Sequence, residues 1–156
     1  MLAHAIIHES ETPPDLEYLV QKKENIQFTL RDFIRTQIPF DKKTKRRIKK
    51  ELIAFFIDTS EFSSLSGDFF PSQIGWDGNR WILLDWTGNI KQFSKLDDPH
   101  PGDEILGDYP FFDEFFSERE FISIRRKQIR LRKSLLQKKA ETEFNQLAKD
   151  ACAKRQ

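Results

Sequence analysis

The chain of 156 residues contains one cysteine, Cys152, and cannot form an intramolecular disulfide. No Cys/His set has the spacing of a zinc site. No apolar run approaches the roughly 20 residues of a membrane-spanning helix. The N-terminus also lacks the basic and apolar regions of a signal peptide, although Ala5 to Ile7 predicts an opening strand. We therefore expect a cytoplasmic protein with no membrane contact, no metal and no other cofactor.

Sequence motifs of catalysis are missing as well. The chain has no Walker-type phosphate loop, no nucleophile elbow and no HExxH motif, and Cys152 has no candidate base nearby in sequence. The acidic stretch from Asp97 to Asp108, which includes His100, offers ligands for a cation, but its Pro and Gly content is more typical of a polar loop. We therefore predict a non-catalytic protein, and no motif is diagnostic of a known family.

Helical patterns occupy the N-terminal third of the chain. Apolar residues between Leu16 and Ile26 follow helical spacing and predict a first helix over residues 15–38, which Pro39 would end. Asp41 is the predicted N-cap of a second helix that continues to about Ile57. With 15 Phe and 3 Trp, the chain has enough large apolar side chains for one folded domain over residues 1–156.

Strand patterns follow in the centre. The alternation in Arg80–Trp86 and in Ile90–Lys95, with a Gly-Asn turn between them, predicts a hairpin around residues 80–95. Gln73 to Trp76 is a candidate third strand. From about residue 118 to 151 the chain has neither Pro nor Gly, which predicts a long helix that packs across the sheet or projects from it. The predicted fold class is α+β, with N-terminal helices, a small antiparallel β-sheet and a long C-terminal helix.

The formal net charge of +1 conceals a strong segregation of charge. Residues 42–50 and 125–139 contain many Lys and Arg and no acid, whereas acids dominate from Asp58 to Glu120. Clustered cations repel one another and are stabilised by a polyanion such as a phosphate backbone. We therefore predict an accessory or regulatory protein that binds DNA or RNA. The predicted phosphate-binding side chains are Lys42, Lys45, Arg46, Lys49, Arg125, Arg126, Arg130, Arg132 and Lys133.

Three other interpretations remain open, and the last of them is an enzyme whose catalytic groups converge in space and leave no sequence motif. In the first, the basic helices bind no ligand: they are solvated faces whose charges pair within the fold with the acids of the centre. Alternatively, the protein is an adaptor, inhibitor or immunity-type module whose acidic, aromatic segment from Tyr109 to Phe121 binds a protein partner. Exposed rings would then anchor that partner, although burial in the core is the commoner fate of such rings. The candidate anchors are Trp76, Trp81, Phe111 and Phe115.

An apolar face is also visible near the C-terminus. Its members follow steps of four, four, three and four residues, which place them on one side of a helix: Leu136, Ala140, Phe144, Leu147 and Ala151. Basic residues interrupt the same face on its N-terminal side, so no sustained heptad is present. This face makes the C-terminal helix a candidate contact for a homodimer.

Overall fold

The computed structural model describes residues 3–8, 17–22, 25–36, 38–65, 69–84 and 90–155. Within them the architecture is α+β, with five α-helices and seven short antiparallel strands. The predicted fold class is therefore confirmed, including the long C-terminal helix.

In chain order the strands and helices are β1 (Ala3–His8), β2 (Glu17–Lys22), β3 (Phe28–Thr29), α1 (Leu30–Arg35), α2 (Lys42–Asp58), β4 (Phe62–Leu65), β5 (Ile74–Trp76), β6 (Trp81–Leu83), β7 (Ile90–Gln92), α3 (Gly102–Asp108), α4 (Phe111–Phe115) and α5 (Glu118–Ala153). Single 3₁₀ turns follow α2 and precede β5.

The N-terminal strands correct the prediction of a first helix over residues 15–38. Residues 17–22 form β2, which pairs antiparallel with β1, and only Leu30–Arg35 is helical. The apolar residues of a short segment can satisfy both helical and extended spacing, and pairing with a distant strand decides between them. At α1, the Thr29 hydroxyl accepts from the Asp32 N–H and the Asp32 carboxylate accepts from the Thr29 N–H, so this helix begins at a capping box. The opening strand is confirmed as β1.

Strand pairing in the centre differs from the predicted hairpin. The three-stranded sheet has the order β3-β5-β6, so the Trp81 strand pairs with Ile74–Trp76, while β7 pairs with β4. Gly78, at φ 102°, takes the left-handed conformation in the turn before β6, and Asp77 accepts backbone hydrogen bonds there. The predicted Gly-Asn turn lies outside the described residues. The sequence contains two similar turn signals, one around Gly78 and the other at the predicted Gly-Asn turn. Burial of the side chains of β5 and β6 favours the turn around Gly78.

The starts of α2 and α3 depend on different contacts. Asp41 caps α2 as predicted, because its carboxylate accepts from the Thr44 N–H at 2.9 Å. The predicted loop from Asp97 to Asp108, in contrast, is helical from Gly102 onward. Gly102 lies against α2, where a Cβ atom would stand 2.6 Å from Cδ1 of Phe56. The glycine is therefore required by close packing and does not break the helix.

The long helix α5 runs parallel to α2. The Lys49 ammonium lies 2.8 Å from the Glu120 carboxylate, Gln128 donates to the Phe56 carbonyl at 3.0 Å, and Arg132 donates to the Ser60 carbonyl. Each α5 partner comes about 72 residues after its contact on α2. This constant offset is possible only for parallel helices, so the first turns of α2 extend beyond the start of α5. At the other end, α5 extends well past α2.

Aromatic side chains fill most of the core between these helices and the three-stranded sheet. Trp76 and Trp81 are 1% and 5% exposed, with ring centroids 5.4 Å apart. The Trp81 indole N–H donates to the Ile48 carbonyl of α2 at 3.2 Å. Phe56 and Phe112 meet edge to face, which joins α2 to α4. The Phe-rich composition of the sequence thus serves mainly to fill the core.

Candidate nucleic-acid interface

Seven of the nine predicted phosphate-binding side chains are solvent-exposed, and one of these, Arg125, is paired with Asp103. Within the described part of the chain, none of the other six forms an ion pair or a side-chain hydrogen bond. Three lie in the first turns of α2 and three in the middle of α5: Lys42, Lys45, Arg46, Arg126, Arg130 and Lys133. Rigid helices hold these cations at fixed spacing, and no carboxylate in the described part of the acidic centre neutralises them.

Lys49 has a structural role in addition to its charge. Its ammonium contacts the Glu120 carboxylate and stands 5.3 and 5.6 Å from the ring centroids of Phe115 and Phe116. The hydrogen bond from Lys49 is the largest cause that holds the pKa of Glu120 below its ordinary value. Glu120 also accepts from the Ser117 N–H in the capping box of α5. Lys49 therefore joins α2 to the first turn of α5.

Arg125 is likewise paired inside the fold. Its guanidinium lies 2.8 Å from the Asp103 carboxylate of α3 and donates to the Gln128 amide oxygen at 3.1 Å. Gln128 is itself buried and donates to the Phe56 carbonyl. This chain of contacts fixes α3 against α5 and uses an acid of the centre to neutralise Arg125.

Arg132 corrects the prediction for its position, because this side chain is 0% exposed and cannot contact phosphate. Its guanidinium lies 4.9 Å from the ring centroid of Phe93. Burial lowers its pKa, while the carboxylates of Asp98 and Asp103 oppose that shift, and a guanidinium remains charged in either case. The guanidinium donates to five backbone carbonyls, those of Ser60, Phe62, Leu96, Asp98 and Pro99.

The solvent face of α5 follows from helical geometry. At about 100° per residue, Arg126, Arg130 and Lys133 lie on the side opposite the buried stripe of Ile124, Gln128 and Arg132. Arg119 is also exposed and comes seven residues before Arg126, on the same face. It was missed because its neighbours in sequence are acidic, although the seven-residue spacing could have indicated it.

The two exposed basic clusters are separated along the helix axes. Because α2 and α5 are parallel with an offset of about 72, Thr44 lies at the height of residue 116. Arg130 is therefore about 20 Å further along, at about 1.5 Å per residue.

The four predicted partner-binding rings lie in or at the edge of the core. Trp76 and Trp81 are buried, which corrects the prediction that they anchor a partner. Phe111 and Phe115 are partly buried and stack on each other with centroids 5.1 Å apart. Both also meet Phe33 edge to face, so most of their surface is already covered.

Two acids of the stretch from Asp97 to Asp108, Asp98 and Asp103, accept hydrogen bonds from backbone N–H groups. Asp98 accepts from the N–H groups of Ser94 and Lys95, and the Ser94 bond is the largest cause that lowers its pKa. His100 is buried, and burial together with Arg132 and Arg125 lowers its pKa to about 4. Among the described residues, no three His, Cys, Asp or Glu side chains are grouped to hold a metal ion.

A separate groove of about 550 Å³ runs between the C-terminal half of α2 and β6. Its walls include the apolar side chains of Phe55 and Leu83, three acids and one cation: Glu51, Asp58, Glu61 and Arg80. Burial and the neighbouring charge of Glu51 raise the pKa of the Asp58 carboxyl. The groove thus combines apolar surface with negative charge.

No protein-family model matches the sequence, and neither a curated protein nor a solved structure is significantly similar to it. Across residues 3–8, 17–22, 25–36, 38–65, 69–84 and 90–155, no helix is both long enough and apolar enough to cross a membrane. The function must therefore be inferred from the side chains themselves.

Proposed function

We propose that this is a non-catalytic accessory or regulatory protein of the cytoplasm that binds DNA or RNA through the exposed basic surfaces of α2 and α5. One observation carries the proposal. The acids of the centre neutralise only Lys49 and Arg125 among the nine predicted cations, and six others remain exposed without an ion pair to any described residue. Unpaired cations at fixed spacing on rigid helices favour a polyanionic ligand.

The chemistry of these side chains suits backbone contacts. Arg126 and Arg130 lie one helical turn apart and present planar guanidinium groups, which bind phosphate in a bidentate manner. Such contacts position a nucleic acid without reading its bases. If all six exposed cations meet phosphates, the logarithm of the binding constant should fall with the logarithm of salt with a slope of about −5 for duplex DNA and about −4 for single strands.

The test is a titration of labelled 20-nucleotide DNA and RNA, single-stranded and duplex, followed by fluorescence anisotropy at several salt concentrations. The variant R126Q/R130Q should bind about tenfold or more weakly and with a salt slope smaller by about 2. K91Q/K95Q is the matched control, because it removes two exposed cations outside both helices. An absence of binding at low salt, or equal losses in both variants, would show the proposal to be wrong.

A second candidate function is a protein-interaction module, and the acidic groove along α2 favours it. Its three carboxylates would suit a partner segment that carries Lys or Arg on an apolar face. A pull-down before and after nuclease treatment separates the two functions. A complex that survives nuclease and is lost in E51Q/D58N/E61Q supports the interaction module, whereas a complex lost on nuclease treatment supports nucleic-acid binding.

A further inference from the structure

The C-terminal half of α5 has no packing partner among the described residues. Beyond Leu136, every residue to Arg155 is solvent-exposed. Phe144 and Leu147 are 71% and 69% exposed, the largest such values among the exposed large apolar side chains of the described chain. Polar side chains on a projecting helix are well solvated by water. Two large apolar side chains on one turn of that helix, in contrast, gain free energy when a partner covers them.

These two side chains belong to a continuous apolar stripe. Leu136, Ala140, Phe144, Leu147 and Ala151 fall within an arc of about 80° on the helical wheel. The centre of this arc is about 120° from the stripe of α5 that packs on the core. Leu136 is half-buried and lines a groove with Gln92 and Phe93, whereas Ala140 to Ala151 are solvent-exposed. The stripe is therefore accessible to a second molecule from Ala140 onward.

Local interactions alone stabilise this half of the helix only weakly. Gln137 donates to Glu141 at 3.0 Å and Gln146 donates to Asp150 at 2.8 Å, each one turn along the helix. Pairs of this kind contribute about 0.2–0.5 kcal/mol each. Since most helical stability comes from packing of an apolar face, a partner on the stripe would supply what the free helix lacks.

We propose that a second copy of this chain covers the stripe, and that the two α5 helices pack antiparallel over residues 133–154. The sizes of the side chains favour the antiparallel direction over the parallel one. A two-fold axis next to Phe144 places Leu136 against the partner's Ala151 and Leu147 against the partner's Ala140. Each large side chain then faces a small one, and the two Phe144 rings meet at the axis. A parallel pair would instead set alanine against alanine at two levels and leave gaps there.

Charge favours the same direction. The antiparallel pair brings Lys139 to within about 3 Å of the height of the partner's Asp150, on the same flank of the interface, and symmetry repeats this contact. The like charges that the same register brings together are the two Glu143 side chains near the axis and Lys133 with the partner's Lys154 at each end. A parallel pair extended along the same face would oppose Lys133 and Arg126 to their own copies. In the antiparallel pair the overlap ends near Lys133, so Arg126 and Arg130 stay exposed.

The dimer should be weak. The overlap of 22 residues is about 33 Å long, but it contains few large apolar side chains. The free energy of association must offset the lost freedom of two molecules, so we expect a dissociation constant of about 10–100 µM. The apolar stripe contains none of the proposed phosphate contacts, and Lys133 alone among them lies within the overlap. F144D leaves all six in place, so the tests of the two proposals remain separate.

Sedimentation equilibrium between about 5 and 500 µM tests the association itself, in the range set by the expected affinity. The wild-type protein should pass from monomer to dimer, and F144D should remain monomeric. N145D is the matched control, because it makes the same neutral-to-acidic change at the adjacent position, which is exposed but outside the stripe. A wild-type monomer at every concentration, or a dimer that F144D retains, would overturn the proposal.

The single cysteine tests the direction. A spin label on Cys152 requires no other substitution, because the chain has no second thiol. In the antiparallel pair the two labelled positions are about 25 Å apart along the axis, and about 10 Å of helix separation is added at right angles. A dipolar distance near 30 Å agrees with this arrangement, whereas a distance below about 20 Å would require parallel helices.

Discussion

Replacement of Arg132 by methionine should destabilise the fold, even though arginine belongs to a class of residues that usually lies at the surface. The substitution keeps an unbranched side chain of similar length and removes every donor of the guanidinium. Five backbone carbonyls lose their partner, and they come from the chain after α2 and from the stretch before α3. The fully buried guanidinium thus holds two loops against α5.

The expected loss can be worked out from these contacts. Leu96 and Pro99 are exposed, so their carbonyls can regain water, whereas Ser60 is 0% exposed and cannot. A buried acceptor left without a partner costs about 1–3 kcal/mol. With Ser60 and the part-buried Phe62 carbonyl both unpaired, and with the contact to Phe93 weakened, we expect a loss of about 3–5 kcal/mol. R132K keeps the charge and three donors, and should lose about half as much.

Urea unfolding followed by tryptophan fluorescence measures this loss, because Trp76 and Trp81 are buried in the native state. R130M is the matched control, since Arg130 is exposed on the same helix and should change stability by no more than about 0.5 kcal/mol. If R132M and R130M differed by less than about 1 kcal/mol, the carbonyl contacts would not have the energetic role assigned to them.

Two further predictions concern His100 and Ser117. The pKa of buried His100 is lowered to about 4 from 6.5, so below pH 6.5 the unfolded chain binds a proton that the folded protein does not. Stability should therefore fall by about 2 kcal/mol between pH 7 and 5, and this loss should be absent from urea titrations of H100Q; an equal pH dependence in both proteins would contradict the assignment. S117A removes the hydroxyl that accepts from the Glu120 N–H, and it should lower the free energy of unfolding by about 1 kcal/mol in the same assay. The control S134A, at an exposed position within α5, should change that free energy little. An equal effect of both substitutions would exclude capping as the cause.

Local sequence signals predict the two long helices well and the strands less well. Asp41 and the absence of Pro and Gly after residue 118 are local features, and α2 and α5 begin where they indicate. β2 depends on pairing with β1 across a long connection, and β6 depends on a choice between two similar turns. Such choices are decided by contacts between distant residues, which no local spacing contains.

The candidate interface, too, can be predicted only in part from the sequence. Periodicity places Arg126, Arg130 and Lys133 on one face of α5, and they are exposed as phosphate contacts must be. The buried face consists of Ile124, Gln128 and Arg132, and two of these are polar. A hydrophobic pattern identifies that face only in part, through the half-buried Phe121, Leu131 and Leu135, because the partners of Gln128 and Arg132 are backbone carbonyls far upstream. Conversely, the apolar stripe from Leu136 to Ala151 resembles a core face, yet it is exposed from Ala140 onward.

The parallel arrangement of α2 and α5 also has a consequence for the order in which the protein folds. Two parallel helices cannot be joined by a short turn, and here the contacts between them close a loop of about 72 residues. The entropic cost of that closure must be met before the first favourable α2–α5 contact forms, which slows folding relative to a bundle of antiparallel helices. On a ribosome, the side of α2 near Phe56 would await a helix that is synthesised about 70 residues later, so a chain stopped before residue 118 would leave the Phe56 and Ser60 carbonyls without Gln128 and Arg132.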